Sequence, residues 1–363
     1  MSKKVVVIAA GGTGGHLFPA AAFAEEMFRR GWRIVLITDV RGRRYAEGFP
    51  AERIEDVAAA SLTANPITAI PALFKIARGV DAAKKRFTEL KPSLVAGFGG
   101  YPSFPALVAA RAQHIPILIH EQNSVLGRVN RTMAGSAAIV ACGFERLDRL
   151  PPKALGRKHV VGNPVRSPIL AVRERPYPEA VAGGRLNVLI TGGSQGARLF
   201  GDVIPAAFAM LPAQLRARLD VVHQVREEQV AEARKIYQKA GVAAEVAPFF
   251  TDMGQRLAAA QLVISRAGAS SVTELQVAGR PAILVPFAAA ADDHQTANAE
   301  GLTSVGAADL FTEEEFEPGA LAACLERRLA DPHGLSVRAS AARAAAKPEA
   351  AKMLADLAER VSA

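Results

Sequence analysis

Apolar residues along this chain occur in two patterns. Short runs of consecutive β-branched and aliphatic residues, the signature of buried parallel strands, alternate with longer stretches in which apolar positions recur every three or four residues. In the first half, Lys4–Ala9, Arg33–Thr38, Ser93–Gly97, Ile115–His120, Ala137–Ala141 and His159–Val161 predict strands. Helices are predicted from about Leu17 to Arg30, over Pro66–Leu90 and over Ser103–Gln113. Pro164, Pro168, Pro176 and Pro178 then interrupt the alternation, which places a linker just after residue 163. Strands resume at Asn187–Thr191, Asp220–His223, Ala243–Ala247, Leu262–Ser265 and Ala282–Val285, and the alanine-rich tail from Asp331 reads as one or two helices.

Each half therefore opens with a strand, a glycine-rich turn and a helix. Repeated strand-to-helix alternation forces right-handed crossovers and a parallel sheet, with ligands expected at the carboxyl ends of the strands. The fold class is α/β, in two Rossmann-like doubly wound domains facing across a cleft.

Composition narrows the setting. The chain has 363 residues, more than one α/β core ordinarily holds, and half of them are hydrophobic. A formal charge of +9 implies an anionic partner: nucleic acid, an acidic membrane face or a phosphate-rich substrate. No stretch interleaves aromatics with Lys and Arg as RNA-binding surfaces do, so nucleic acid is not expected. Cys142 and Cys324 stand far apart with no CxxC partner, which reads as a reduced cytoplasmic protein. The first apolar run is too short for a signal peptide and no run is long enough to span a bilayer, so any membrane contact is expected to be peripheral.

The candidate chemistry lies at the predicted strand ends. Gly11-Gly12-Thr13-Gly14-Gly15-His16 follows the first strand and opens a helix, where glycine permits close approach and free N–H groups face an anion. It misses the GxGxxG spacing of dinucleotide folds because Leu17 stands in place of the third glycine, although Asp39 weakly mimics the acid that binds NAD ribose. His16 has two readings: a packing or capping residue, or a neutral general base at a helix start. Gly97-Phe98-Gly99-Gly100-Tyr101-Pro102-Ser103 is a second strand-to-helix turn, and His120-Glu121-Gln122-Asn123, with Asn130 further on, a third polar cluster. His120 and Glu121 are either a structural pair or substrate-contacting groups. No metal-ligand spacing occurs, so neither metal nor cofactor is expected.

In the second half, the Gly192–Arg198 loop, with Ser194, offers N–H groups and a hydroxyl to a diphosphate. Ser265–Ser271, followed by Glu274, places a carboxylate on the first turns of a helix, where it can accept ribose hydroxyls or simply face the helix dipole. Asp292-Asp293-His294-Gln295 supplies imidazole and amide groups at another helix start; the acid pair reads as helix-start acids ahead of a metal site.

Taken in order, GGTGGHLFPA, GFGGYPSFPA, HEQNSVLGRVN, GNPVR, TGGSQGAR, SRAGASSVTEL and DDHQTANA resemble the MurG family of peptidoglycan glycosyltransferases over nearly the whole chain. The resemblance implies a GT-B architecture: an acceptor and membrane-facing domain over 1–163, with a helix in 341–363 packing back on it, and a donor domain over 164–340. It implies transfer of N-acetylglucosamine from UDP-N-acetylglucosamine to the muramoyl 4-hydroxyl of lipid I, giving lipid II with inversion. Thr13, Gly14, Gly15, Asn123, Arg166, Ser194, His294 and Gln295 are implied donor contacts. Ala269, Ser270, Ser271 and Glu274 are implied to line the nucleotide pocket, with Phe250 beside the uracil. His16, Tyr101, Glu121 and Asn130 are implied near the acceptor or the reacting centre, with His16 the candidate base. Phe250, where the family often has a smaller residue, and the Ala288–Ala291 loop depart from the pattern and put side-chain donor contacts there in doubt.

The same resemblance implies a peripheral protein at the cytoplasmic face of the bacterial inner membrane, with cell-wall synthesis and division proteins as partners. Leu73, Phe74, Ile76 and Val80 mingle with Lys75, Arg78, Lys84, Lys85 and Arg86 on one predicted helix, either as core and ordinary surface or as a surface for an anionic leaflet. Three rivals stay open: a glycosyltransferase with another lipid or aglycone acceptor, a catalytically silent nucleotide-sugar-binding protein, and a dehydrogenase.

Overall fold

A computed structural model describes residues 3–44, 46–57, 66–181, 183–193 and 196–362, with backbone alone for 66–70. The chain divides into two compact units, Met1–Arg166 with Lys347–Ala363, and Ser167–Ala346.

Seven parallel strands form the sheet of the first unit: β1 (Val5–Ala9), β2 (Arg33–Thr38), β3 (Arg53–Asp56), β4 (Leu94–Gly97), β5 (Ile117–Glu121), β6 (Ile139–Cys142) and β7 (Lys158–Val160). Their order is β3-β2-β1-β4-β5-β6-β7, so the winding reverses between β1 and β4. Register pairs Ala9 with Gly97 at that switch point, bringing the turns after both strands side by side. Both faces of β1 are buried, which is why its sequence, VVVIA, is apolar without alternation.

The second unit repeats the plan with β8 (Leu186–Thr191), β9 (Leu219–Gln224), β10 (Ala243–Ala247), β11 (Leu262–Ser265), β12 (Ala282–Leu284) and β13 (Ala308–Leu310), in the order β10-β9-β8-β11-β12-β13. Its switch point lies between β8 and β11, where Thr191 pairs with Ser265. The doubly wound parallel architecture expected from the alternation is thus present in both units.

Two strands were not expected. β3 (RIED) and β13 (ADL) are short, carry charge and have no apolar run; each is an edge strand formed by registry on a single neighbour. The first helix begins at Gly14, three residues earlier than expected, because the glycine loop itself supplies its first turn. The tail is two helices. Pro332–Ala344 stays with the second unit, whereas Ala350–Val361 joins the first and packs Leu354, Ala355 and Ala358 into the core that holds Phe23 and Met27. Arg30 fastens it, its guanidinium reaching Asp356 at 2.7 Å and Glu359 at 2.8 Å. The units divide between Ala346 and Lys347, beyond the helix Pro332–Ala344 that a boundary at 340 would cut, and after Arg166.

Arg280 organises the second unit from inside. Its buried guanidinium donates to the carbonyls of Leu257, Ala258, Ala278 and Gly279, capping the helices Met253–Ala259 and Ala269–Ala278 at their carboxyl ends. Burial lowers its pKa to about 10, so it stays charged under ordinary conditions. Replacing Arg280 with Met strands these carbonyls, and we expect the urea midpoint of this unit to fall by the equivalent of about 3 kcal/mol. A midpoint unchanged from wild type would show that the caps are dispensable.

Candidate active site

The two glycine turns of the first unit fit together only without side chains. A Cβ on Gly11 would lie 2.4 Å from Pro102 Cγ, and one on Gly100, where φ is +75°, would lie 2.6 Å from the Gly11 carbonyl oxygen. Gly12 N and Gly42 N both donate to Asp39 Oδ1, at 3.1 and 2.9 Å, and Arg41 pairs with the other oxygen. Asp39 is thereby committed to bracing the loop, which removes the resemblance to a ribose-binding acid. Thr13 is the N-cap; its carbonyl accepts from His16 N and Leu17 N, and its hydroxyl makes no capping bond. Gly14 and Gly15 form the first turn of the helix.

His16 stands on this turn against the second loop. Hypothetical Cβ atoms on Gly99 and Gly100 would come within 3.1 and 3.4 Å of the imidazole, so those glycines form a flat wall for the ring. Its Nδ1 lies 3.0 Å from Gln122 Oε1. Tyr101 is half-buried, with the Arg41 guanidinium 4.9 Å from its ring centre. Arg166 stacks over Phe18 of the first helix at 4.0 Å, a platform not foreseen from the sequence.

His120 and Glu121 do not pair with one another. Glu121, buried at the end of β5, accepts at Oε1 from Asn123 N and Nδ2, both 3.1 Å away, and at Oε2 from Gly127 N and Asn130 Nδ2, both 2.9 Å away. With four donors on its two oxygens, the carboxylate clasps the 122–130 segment. Asn130 is drawn beside Gly99 by that clasp, and its Oδ1 is buried without a partner. His120 sits fully buried with Nε2 3.0 Å from the Gly162 carbonyl, and burial pushes its pKa down to about 4. Gln122, quoted within its motif but given no role, joins His120 to His16. The available signal was the two-residue period of a strand, which puts positions 120 and 122 on one face.

In the second unit the Gly192 loop is held by Gln224, another residue missed. Its Oε1 accepts from Thr191 Oγ1 at 2.8 Å, and its Nε2 donates to Pro248 O at 3.2 Å. Ser194 lies outside the described residues. Across the switch point, Gly268 caps the helix Ala269–Ala278, whose first turn carries Ala269, Ser270 and Ser271, with Glu274 following. Ser270 Oγ is buried without a partner there. Phe250 is buried beneath the Arg256 guanidinium, 4.1 Å from its ring centre, while Phe249 is exposed. Gln295 Oε1 accepts from Phe287 N at 3.0 Å and His294 Nδ1 donates to Ala291 O at 2.7 Å, so both brace the loop of small residues before them. Asp293 accepts from Thr296 Oγ1 at 2.7 Å, as a helix-start acid does. Among the described residues no cluster of His, Cys, Asp or Glu has the arrangement of a metal site.

Residues 6–142 match the model of the Glycosyltransferase family 28 N-terminal domain, and residues 187–356 match that of the Glycosyltransferase family 28 C-terminal domain. The chain belongs to glycosyltransferase family 28. A relative of this family 28 enzyme in Maricaulis maris is 52% identical over 98% of this chain and 97% of its own length. One in Caulobacter vibrioides is 50% identical over 99% of both chains. Each is named a UDP-N-acetylglucosamine--N-acetylmuramyl-(pentapeptide) pyrophosphoryl-undecaprenol N-acetylglucosamine transferase. Among solved structures, Acinetobacter baumannii MurG matches with a TM-score of 0.80 and 33% identity, over 98% of this chain and 99% of that one. The glycotransferase of kitacinnamycin, 18% identical with a TM-score of 0.71, shares the fold. The enzyme is thus a glycosyltransferase of GT-B class, and neither the dehydrogenase nor the silent binding protein survives as a family assignment.

The buried imidazoles of the family 28 enzyme carry a pH dependence. His120, with a pKa of about 4, and His223, lowered by burial to about 3, are neutral in the fold, whereas an unfolded histidine titrates near 6.5. Below pH 6.5 the unfolded chain takes up protons that the folded units do not, so stability falls as pH drops from about 6.5 to 4, by up to about 3 kcal/mol for His120 alone. Thermal midpoints recorded between pH 7.5 and 4.5 test this; a flat profile contradicts it.

Proposed function

We propose that this enzyme transfers N-acetylglucosamine from UDP-N-acetylglucosamine to the 4-hydroxyl of the muramoyl sugar of lipid I, forming lipid II with inversion at the anomeric carbon. The names of relatives half-identical over nearly the full chain support the substrates. The single observation that carries the chemistry is His16: one ring nitrogen is anchored at 3.0 Å to a buried amide, and the other makes no hydrogen bond among the described residues.

His16 Nε2 takes the proton of the acceptor hydroxyl as the oxygen attacks the anomeric carbon. The bond from that carbon to the β-phosphate oxygen breaks, and UDP leaves with the electron pair. The second unit receives the growing negative charge at the start of the Ala269–Ala278 helix, where unpaired N–H groups and the helix dipole favour an anion. Glu274 accepts the ribose hydroxyls, and main-chain groups at Phe250 meet the base. Thr13, Gly14, Gly15, Asn123, Arg166, Ser194, His294 and Gln295 complete the donor contacts, while Tyr101 and Asn130 face the acceptor. On this reading the first unit serves the acceptor and the second chiefly the donor.

The enzyme works peripherally at the cytoplasmic face of the bacterial inner membrane. Leu73 and Phe74 are 55% and 69% exposed on the helix Pro66–Leu90, beside exposed Lys75 and Arg78. Ile76 belongs to the opposite, buried face with Ala72, Ala83 and Phe87, so the expected surface loses that member. Lys85 pairs with Asp81 at 3.1 Å and Arg86 with Glu55 at 2.7 Å, which moves the net positive charge toward Lys75 and Arg78. No helix among the described residues is long and apolar enough to cross a membrane.

His16→Ala is expected to lower kcat by about 10²–10⁴-fold with donor affinity unchanged by calorimetry. Purified enzyme that makes no lipid II from lipid I and UDP-N-acetylglucosamine, yet glycosylates another acceptor, would favour the related-transferase reading. Phe74→Ser with Lys75→Glu is expected to cut binding to anionic vesicles roughly tenfold, each basic residue being worth about 1 kcal/mol near such a surface. Equal binding by the variant, or binding insensitive to salt, argues against the membrane face.

A further inference from the structure

We propose that Gln122 and His120 are positioning residues that fix the protonation pattern of His16, holding its proton on Nδ1 and its lone pair on Nε2. The inference deepens the reading of His16 as the base and rests on it. No tautomer of the three side chains has to be assumed, because the chain of partners ends on a group with only one possible role.

That group is the Gly162 carbonyl, which can only accept; His120 Nε2, 3.0 Å away, must therefore carry a proton. Burial keeps this imidazole neutral, so its Nδ1 is an acceptor. Gln122 Nε2 lies 3.1 Å from that Nδ1 and 3.2 Å from the His120 carbonyl. Two acceptors at one end orient the amide, since its oxygen could satisfy neither. The oxygen is thereby turned toward His16, where Oε1 can accept only if Nδ1 donates. Nε2 of His16 is left as the basic nitrogen.

The anchor is rigid at each link. Gln122 is 2% exposed, and its own carbonyl accepts from Asn163 Nδ2 at 3.0 Å. The His120 ring packs on Phe98, centroids 5.4 Å apart, next to the glycine wall that holds His16. An imidazole in water exchanges freely between its two neutral forms; a base with one fixed lone pair loses no population to the wrong one. The role matches that of the third member of a hydrolase triad, filled here by a neutral amide instead of a carboxylate.

The full-length enzyme with ¹⁵N- and ¹³C-labelled histidine reports the tautomer directly through the ring nitrogen and Cδ2 shifts. His16→Ala identifies the His16 signal, and its turnover separately tests the base assignment. Wild-type His16 is expected as the neutral Nδ1–H form. Gln122→Met, close in shape but without the acceptor, should lose that preference and lower kcat by about 10- to 10³-fold, with KM for UDP-N-acetylglucosamine within about threefold. Gln122→Glu, which retains an acceptor toward His16 but loses the amide donor to His120, should keep the proton on Nδ1 and retain more of kcat than Gln122→Met.

An Nε2–H form in the wild-type spectrum overturns the proposal even if neither variant folds. So does a folded Gln122→Met that retains the Nδ1–H form, or that turns over within about twofold of wild type while His16→Ala is inactive. If His16→Ala itself keeps near-wild-type turnover, the base reading fails whatever the spectrum shows.

Discussion

The first unit depends on the contact between two main-chain turns at the place where its sheet reverses direction. β1 has β2 on one side and β4 on the other, and the pairing of Ala9 with Gly97 leaves the chain emerging from both strands at the same level. The two turns can pack directly only if neither carries a side chain at the point of closest approach. Gly11 lies against Pro102 and Gly100 against the Gly11 carbonyl, so even a methyl group at either position would have to displace its neighbour. That approach puts Gly99 against the edge of the His16 ring, so backbone forms one wall for the imidazole while the Gln122 side chain meets its Nδ1. Asp39 reinforces the arrangement by bonding Gly12 from the end of β2.

Polar groups around this contact divide their labour. Glu121 spends its four hydrogen bonds on the segment that follows β5, which delivers Asn130 beside the second glycine loop. His120 and Gln122 link the Gly162 carbonyl to His16. A buried polar network is an asset only when its members are satisfied, because an unpaired buried donor or acceptor costs more than a made hydrogen bond contributes. Most of the carboxylate, imidazole and amide atoms here have partners.

The second unit uses the same winding for a different purpose. Its switch point carries no histidine; it offers a glycine loop held by Gln224 and a helix start capped by Gly268. The helix is anchored at its far end by the buried Arg280 guanidinium. Fixed dipoles of this kind stabilise developing charge without reorganising, which is the requirement placed on a site where a diphosphate leaves. One doubly wound plan thus places a histidine at the switch point of one unit and a glycine-capped helix start at that of the other.

The parallel sheets and the two glycine-opened halves were legible in the sequence because apolar runs, periodicity and glycine spacing are local properties, and the family through the resemblance of seven motifs in order. The edge strands β3 and β13 were not, since RIED and ADL become strands only when a neighbour's unpaired backbone is available. The return of the last helix to the first unit, where Leu354 and Ala358 find their core against a helix more than 300 residues earlier, was implied by the family resemblance and not by the tail's own periodicity. The sequence by itself determined which groups stand at or just beyond the strand ends, Glu121 and Gln122, or on the helices that follow them, His16, Asn130 and Glu274. Only the tertiary structure decided that Glu121 accepts four hydrogen bonds from the 123–130 segment, that Ile76 is core, and that Gln122 lies between His120 and His16. A hydrogen bond depends on distance and direction between residues far apart in the chain, and neither quantity is encoded in residue order alone.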